Sequence, residues 1–346
     1  MTKRKLSLII IAAVLGAILI AVSVCAIIAN SKNDKSQPVE QLASWQSMIK
    51  DDVLLKDVVI AGAHDAGTKG ISYLAATQDR DIADLLKCGT RYLDLRVAYS
   101  KQKLLIYHGP FKGMSLESVI DDVKQFLVDN TSENIILDFQ HFEENDTEAQ
   151  NETIKLVDEQ LKEMLVINLT DKSDVEFVDS LTMGDVRGKC LIVWGRTNDD
   201  IISKNYVFQR NNDDGSRTNS VLHSFYFSKY NKKSSANYIK DGLSHYLGLY
   251  KEPQYGQGLR ILQGQLTDGM FVFGPHFREA THTDNMNEYL DGLKTSPDLA
   301  YINIVIRDFI TPSKNCYALQ LNLAKNTVKT DKVATFEKMI ADTLGK

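Results

Sequence analysis

Beyond residue 40 the chain alternates short apolar runs with stretches of helical periodicity. The apolar runs fall at 53–63, 91–97, 104–107, 134–139, 189–194, 220–227, 259–266 and 301–306, and each reads as a strand. Between them, Ser115-Leu116-Glu117-Ser118 opens a segment with apolar residues at Leu116, Val119, Ile120, Val123, Phe126 and Leu127. That spacing predicts an amphipathic helix capped by serine. Segments 147–165 and 285–293 repeat the helical pattern. Strands alternating with helices predict a parallel sheet, and eight such strands suggest a barrel. An open doubly wound sheet is the alternative. It calls for a glycine-rich phosphate loop, and the chain contains neither GxGxxG nor GxxxxGK[ST].

The first 30 residues follow a different pattern. Lys3, Arg4 and Lys5 precede an uncharged run of 24 residues, 6–29. At 1.5 Å per residue this run is long enough to cross a bilayer core of about 30 Å. It predicts a transmembrane signal-anchor at 1–30 with its basic flank inside. A signal peptide cleaved near Val24-Cys25-Ala26 is the alternative. Residues 31–40 then read as a tether, and 41–346 as a single domain displayed outside the cell or secreted.

Charge narrows the range of partners. The whole chain carries a formal −5, and residues 1–36 contribute five Lys/Arg against one Asp, so the remainder is more acidic still. An acidic domain argues against nucleic acid as partner and against binding anionic bilayers by bulk charge. Outside the apolar N-terminus, Cys88, Cys190 and Cys316 show no CxxC spacing, which supports neither a zinc site nor a disulfide framework.

In a barrel of this kind, catalytic groups cluster at the C-terminal ends of the strands. His64, Arg96, His108 and Asp308 all fall there. Two imidazoles and a guanidinium suit the attack of a hydroxyl on a neighbouring phosphodiester. One histidine takes the hydroxyl proton and the other protonates the leaving alkoxide. Arg96 holds the non-bridging oxygens, the task that a divalent metal performs in other phosphodiesterases. Carboxylates would orient the imidazoles. In a closed barrel the last strand adjoins the first, which pairs His64 with Asp308 and leaves Asp65 for His108. No metal and no cofactor is called for. His141, His223, His245, His276 and His282 read as structural or surface residues. The aromatic-rich set Tyr226, Phe227, Tyr230, Tyr246, Leu247 and Tyr250 suits either a lipid-facing rim or core packing.

Several blocks carry a family resemblance. They are Ile60-Ala61-Gly62-Ala63-His64-Asp65-Ala66-Gly67-Thr68, Gly89-Thr90-Arg91-Tyr92-Leu93-Asp94-Leu95-Arg96 and His108-Gly109-Pro110, followed by Glu133-Asn134-Ile135-Ile136-Leu137-Asp138-Phe139 and Leu181-Thr182-Met183-Gly184-Asp185-Val186-Arg187-Gly188-Lys189. Together they resemble the X domain of phosphatidylinositol-specific phospholipases C. The resemblance implies a distorted, partly open TIM-type (β/α)8 barrel. It also implies cleavage of phosphatidylinositol, or of a glycosylated inositol lipid, to diacylglycerol and an inositol cyclic phosphate. His64 is then the general base, His108 the general acid and Arg96 the phosphate clamp, with Asp94 orienting Arg96. Calcium-dependent relatives carry an acidic residue where Arg96 stands, so Arg96 implies the metal-independent, bacterial-type branch. Gln140, Arg196 and Gln265 are the expected rim contacts to the head group, and the expected partner is a phospholipid at a membrane surface.

Two other readings compete. A metal-dependent glycerophosphodiesterase-like barrel would surround its histidines with Glu and Asp, a pattern that Arg96 opposes. A non-catalytic surface module would bind lipid without turning it over, and it gives no reason for both histidines.

Overall fold

The computed structural model describes residue 16 and residues 38–346, except 213, 218 and 268–273. The expected anchor at 1–30 and most of the tether therefore lie outside the described residues. Among the described residues no helix is long and apolar enough to cross a membrane.

Eight parallel strands form a nearly closed barrel. They are β1 (Ile60–Ala63), β2 (Tyr92–Ser100), β5 (Ile135–Phe142), β6 (Cys190–Trp194), β7 (Val207–Gln209), β8 (Leu222–Ser224), β9 (Leu259–Gln263) and β10 (Ile304–Arg307). Around the barrel the order is β7-β6-β5-β2-β1-β10-β9-β8. First and last strands pair in parallel, Ala63 opposite Arg307. The weak seam lies between β7 and β8, where Arg210 and Leu222 form a single bridge, with Asn211 N donating to Leu222 O (2.9 Å).

The expected count of eight barrel strands holds, but its membership changes. The run at 104–107 belongs to β3 (Lys103–His108), which is antiparallel to β2 and continues into β4 (Phe111–Ser115) as a hairpin outside the barrel. The missing barrel strand is β7, only three residues long and flanked by polar turns. The β2–β3 turn places Lys101 (φ 52°) and Gln102 (φ 60°) both in the left-handed region, as a two-residue primed turn requires. Neither residue is a usual choice there, so the hairpin has no sequence signal. Functionally it matters, because β3 carries His108 back to the barrel mouth. Strand boundaries also shorten: 53–59 forms a turn and the short helix Leu55–Asp57, and only Ile60–Ala63 is strand.

Hydrophobic layers hold the barrel on both faces. Outward-facing Leu93, Leu95, Ile135, Leu137, Phe139 and Trp194 pack in one buried cluster with Val119, Val123 and Phe126 of helix Leu116–Asp129 and Val157 of helix Thr147–Leu161. The predicted cap is present, Ser115 accepting from Ser118 N (3.2 Å). Inside, Gly62 stands in register with Tyr92 and Ile306. A Cβ there would lie 2.8 Å from Ile306 Cγ2 and 2.9 Å from Tyr92 Cδ1, so glycine makes room for the two side chains that floor the mouth.

The opposite end is closed by helix Glu40–Met48, with Leu42 and Trp45 fully buried. There the buried Arg91 guanidinium donates to Glu133 from Nε (2.9 Å) and Nη2 (2.8 Å), and to the carbonyls of Leu86, Thr90 and Ala43. Satisfying almost every donor makes this buried ion pair structurally sound. All three cysteines outside the N-terminal run are free and buried.

Candidate active site

Strand pairing alone brings His64 to Asp308, since both directly follow the paired ends of β1 and β10. His64 Nδ1 lies 2.7 Å from Asp308 Oδ1, which leaves Nε2 facing the mouth. The next residue, Asp65, adopts a left-handed backbone (φ 43°), an unusual state for a non-glycine residue. Strand alternation would send Asp65 away from His64. The left-handed turn keeps both side chains at the mouth instead. Asp65 Oδ2 lies 3.4 Å from His64 Nε2 and 3.4 Å from His108 Nε2, and Oδ1 forms an ion pair with Arg96 Nε. One buried carboxylate thus touches both imidazoles and the guanidinium.

His108 is anchored from behind. Its Nδ1 contacts the Ala75 carbonyl at 2.6 Å, which makes Nδ1 the donor and turns Nε2 toward Asp65 and the cavity. Asp94 departs from expectation. The carboxylate on Arg96 Nε is Asp65, whereas Asp94 Oδ2 accepts from the backbone N–H of Asp65 (3.3 Å), steadying the left-handed turn.

Between Leu95 and Arg96 the β2–β5 register slips, so Arg96 pairs with His141 and Gln140 becomes the extra residue of a bulge. Consequently Gln140 and His141 both line the mouth. With its amide oriented to suit both neighbours, Gln140 donates to Asp94 Oδ1 (2.8 Å) and accepts from Arg210 Nη1 (2.8 Å). Arg210 in turn pairs with Asp138 Oδ2 (2.8 Å), which also accepts from Tyr92 Oη (2.5 Å).

The result is a cavity of about 290 Å³. His64, Asp65, Arg96 and His108 form one wall, Asp94, Gln140, Ser224 and Gln263 offer polar atoms, and Leu74, Leu266 and Ile306 are apolar. Of the expected rim residues only Gln140 lines it. Gln265 lies buried behind the lining, its Nε2 3.3 Å from Gln263 Oε1, so Gln263 holds the position expected of Gln265. Arg196 opens onto a neighbouring groove and reaches this cavity only through His141, Nη2 to Nδ1 3.0 Å. His141 is therefore a mouth residue that sequence reasoning set aside, because a bulge is invisible to strict alternation. Ser224 and Gln263 were missed too, although each is the last residue of its strand. A polar residue ending an apolar strand was the available signal. Within the aromatic set, Tyr246, Leu247 and Tyr250 are core, while Tyr226 lines the cavity.

Electrostatics tie the wall together. Burial works against charge on His64, but the Asp65 and Asp308 carboxylates outweigh it and push the imidazole up to about 9. Burial would raise Asp65, yet Arg96 and the adjoining imidazoles hold it well below the usual carboxylate range. Asp308 is raised by burial, against the pull of His64. Asp94 is raised by burial and by the adjacent Asp65 charge. Burial and the Arg96, Arg210 and Arg196 charges push His141 down to about 3, so it is neutral. Among the described residues, His64, Asp65 and Asp94 place potential metal-ligand atoms within 4.8 Å of one another. A cation there would compete with Arg96 for the Asp65 carboxylate.

The family described as phosphatidylinositol-specific phospholipase C, X domain, matches residues 53–195. The 1-phosphatidylinositol phosphodiesterase of Listeria monocytogenes is 31% identical over 181 residues, covering 48% of this chain and 53% of the relative. That of Staphylococcus aureus is 27% identical over 113 residues, 31% of this chain and 36% of the relative. The variant-surface-glycoprotein phospholipase C of Trypanosoma brucei brucei is 32% identical over 139 residues, 29% of this chain and 39% of the relative. The chain thus spans about half or less of the length of these curated relatives. The solved phosphatidylinositol-specific phospholipase C of Listeria monocytogenes superposes with a TM-score of 0.61 at 20% identity, over 81% of this chain and 98% of that one. A Staphylococcus aureus structure gives 0.60 at 15% identity, over 83% and 98%. At these identities the structures share the fold.

Proposed function

The chain belongs to the phosphatidylinositol-specific phospholipase C X-domain family through residues 53–195, and from that premise we propose that it cleaves phosphatidylinositol, or a glycosylated inositol lipid, to diacylglycerol and an inositol 1,2-cyclic phosphate. The observation that carries the proposal is the single Asp65 carboxylate in contact with His64, Arg96 and His108. Those three groups are what an internal hydroxyl attack on phosphorus requires.

In this reading the scissile phosphate sits at Arg96, whose guanidinium Asp65 holds by Nε. Neutral His64 takes the ring 2-hydroxyl proton at Nε2, while Asp308 on Nδ1 fixes the ring and stabilises the imidazolium that forms. The ring oxygen attacks phosphorus. His108 Nε2 delivers a proton to the departing glycerol oxygen, and the diacylglycerol leaves. Asp94, Gln140, Ser224 and Gln263 give the polar floor that a polyhydroxyl ring needs. Leu74, 43% exposed at the cavity lip, offers an apolar contact to the lipid surface. The apolar run at 6–29 would tether the barrel at such a surface from outside the cell, a placement that fractionation with protease accessibility tests.

Incubating the full chain with phosphatidylinositol vesicles in EDTA should release diacylglycerol. His64→Ala and His108→Ala should each slow release by about 10²-fold or more. Unslowed cleavage in both variants would remove the proposal, and activity abolished by EDTA would favour a metal-dependent phosphodiesterase.

A further inference from the structure

Two paired strands break in the same way at the barrel mouth. The chain turns left-handed at Asp65 (φ 43°), next after His64, and again at Phe309 (φ 47°), next after Asp308. The β1–β10 ladder ends with His64 N donating to Arg307 O (3.1 Å). Past that bond the two chains part, and backbone groups that regular pairing would satisfy lie at a buried junction. One side chain takes them up. Gln78, 1% exposed, donates from Nε2 to His64 O (2.9 Å) and Arg307 O (3.0 Å), and its Oε1 accepts from Ile310 N (3.0 Å). A side-chain amide thus stands where the next peptide unit of the ladder would stand, bonded to β1 on one side and to both flanks of Asp308 on the other. Its neighbours secure the same cradle. Thr77 O accepts from Phe309 N (2.7 Å), and Thr77 N and Gln78 N both donate to Thr68 Oγ1 (3.1 Å each). Lys314 of helix Pro312–Leu319 holds the β10 side from behind, its Nζ donating to Asp308 O (2.9 Å) and Phe309 O (2.8 Å).

His64 and Asp308 extend from different strands, so their 2.7 Å contact depends on how the two ends are held together. A hydrogen bond weakens steeply as its angle departs from linear, and a catalytic group misplaced by about 1 Å can cost about 10²-fold in rate. We propose that Gln78 is a positioning residue for the reaction: its amide joins the two strand ends and so sets the His64–Asp308 contact that aims His64 Nε2 at the ring hydroxyl. The role of His64 as base rests on the lipid-cleavage reading, whereas the clamp on its backbone does not. The charged groups facing His64 are Asp65, Asp308 and Asp94. Gln78 is uncharged, so its replacement leaves those charges in place and acts on His64 through geometry alone.

The test compares wild type with two variants of the full chain. Gln78→Met keeps the length of the side chain and removes its donor and acceptor. Gln78→Asn keeps the amide but draws it back from the three backbone groups. On phosphatidylinositol vesicles each should lower kcat about tenfold or more while KM changes by less than about twofold, since the substrate contacts are untouched. The second readout is the proton NMR signal of His64 Nδ1–H, which a bond to a carboxylate moves to low field and which His64→Gln identifies by its loss. In both Gln78 variants, held well below their unfolding temperatures, this signal should move upfield or vanish. Arg91→Met, weakened at the opposite end of the barrel, should keep the wild-type kcat and signal, which separates positioning from loss of fold. An unchanged kcat in either Gln78 variant, or a lowered kcat with the signal unmoved, would overturn the proposal. Absence of cleavage by wild type would refute the lipid-cleavage reading alone, since the proton signal is recorded without substrate.

Discussion

His64 Nδ1 stands 2.7 Å from Asp308 Oδ1 across the junction of the first and last barrel strands. With Asp65 on the other side, this contact holds the His64 imidazole up at about 9. The base proposed for His64 must be neutral to act, and an imidazole held near 9 is mostly protonated at pH 7. The rate at limiting substrate should therefore rise with pH through about 9. Asp308→Asn removes one of the raising charges. It should move the midpoint down toward 6.5 while lowering the plateau about tenfold or more, because ring orientation is lost. A pH–rate profile of both proteins decides it, and a midpoint that does not move would remove Asp308 from the account.

The same contact links pH to stability. His64 has a folded value above its unfolded one, so its protonation contributes stability that is full below about 6.5 and is lost as pH rises through about 9. Thermal unfolding of wild type and His64→Gln should converge as pH climbs across that window. Their Tm difference staying constant from pH 6 to 9.5 would contradict the electrostatic picture.

Arg96 takes the place of a metal in this account. Arg96→Lys keeps the charge but loses the planar fork held by Asp65, and should cost about 10²- to 10³-fold in kcat/KM. Calcium should not restore Arg96→Gln. Recovery of activity on adding calcium would mean that His64, Asp65 and Asp94 can serve as a metal site.

If His108 protonates the leaving oxygen as proposed, its importance should depend on the leaving group. With an inositol phosphodiester of p-nitrophenol, a far better leaving group than glycerol, His108→Ala should lose much less rate than with phosphatidylinositol. Equal losses on both substrates would assign His108 a different role.

At the opposite end of the barrel, Arg91 and Glu133 form a buried pair far from the mouth. Arg91→Met should destabilise by about 3–5 kcal/mol, since it strands a buried carboxylate. Denaturant titration measures this, and the pH–rate midpoint of the folded fraction should not change.

Much of this molecule was legible because barrel geometry follows from strand pairing. Once the last strand adjoins the first, Asp308 must lie beside His64, and the apolar runs that end in those residues already imply it. What escaped depended on irregular backbone. The left-handed turn at Asp65 gives one carboxylate three partners, where alternation predicted one. The bulge at Gln140 turns His141 inward, and the hairpin that returns His108 relies on a turn with no Gly or Asn. Gln265 lies two residues past the Gln263 that lines the mouth, and Arg196 reaches the mouth only through His141, because strand ends fix direction while loops fix reach.

The proposed reaction is an internal attack by a ring hydroxyl, catalysed without metal by His64, Arg96 and His108. Phosphorus NMR of the products from phosphatidylinositol in EDTA is its sharpest test. A five-membered cyclic phosphodiester signal should appear as the first product and be absent with His64→Ala. An acyclic inositol phosphate formed with no cyclic precursor, or no product until metal is added, would contradict it.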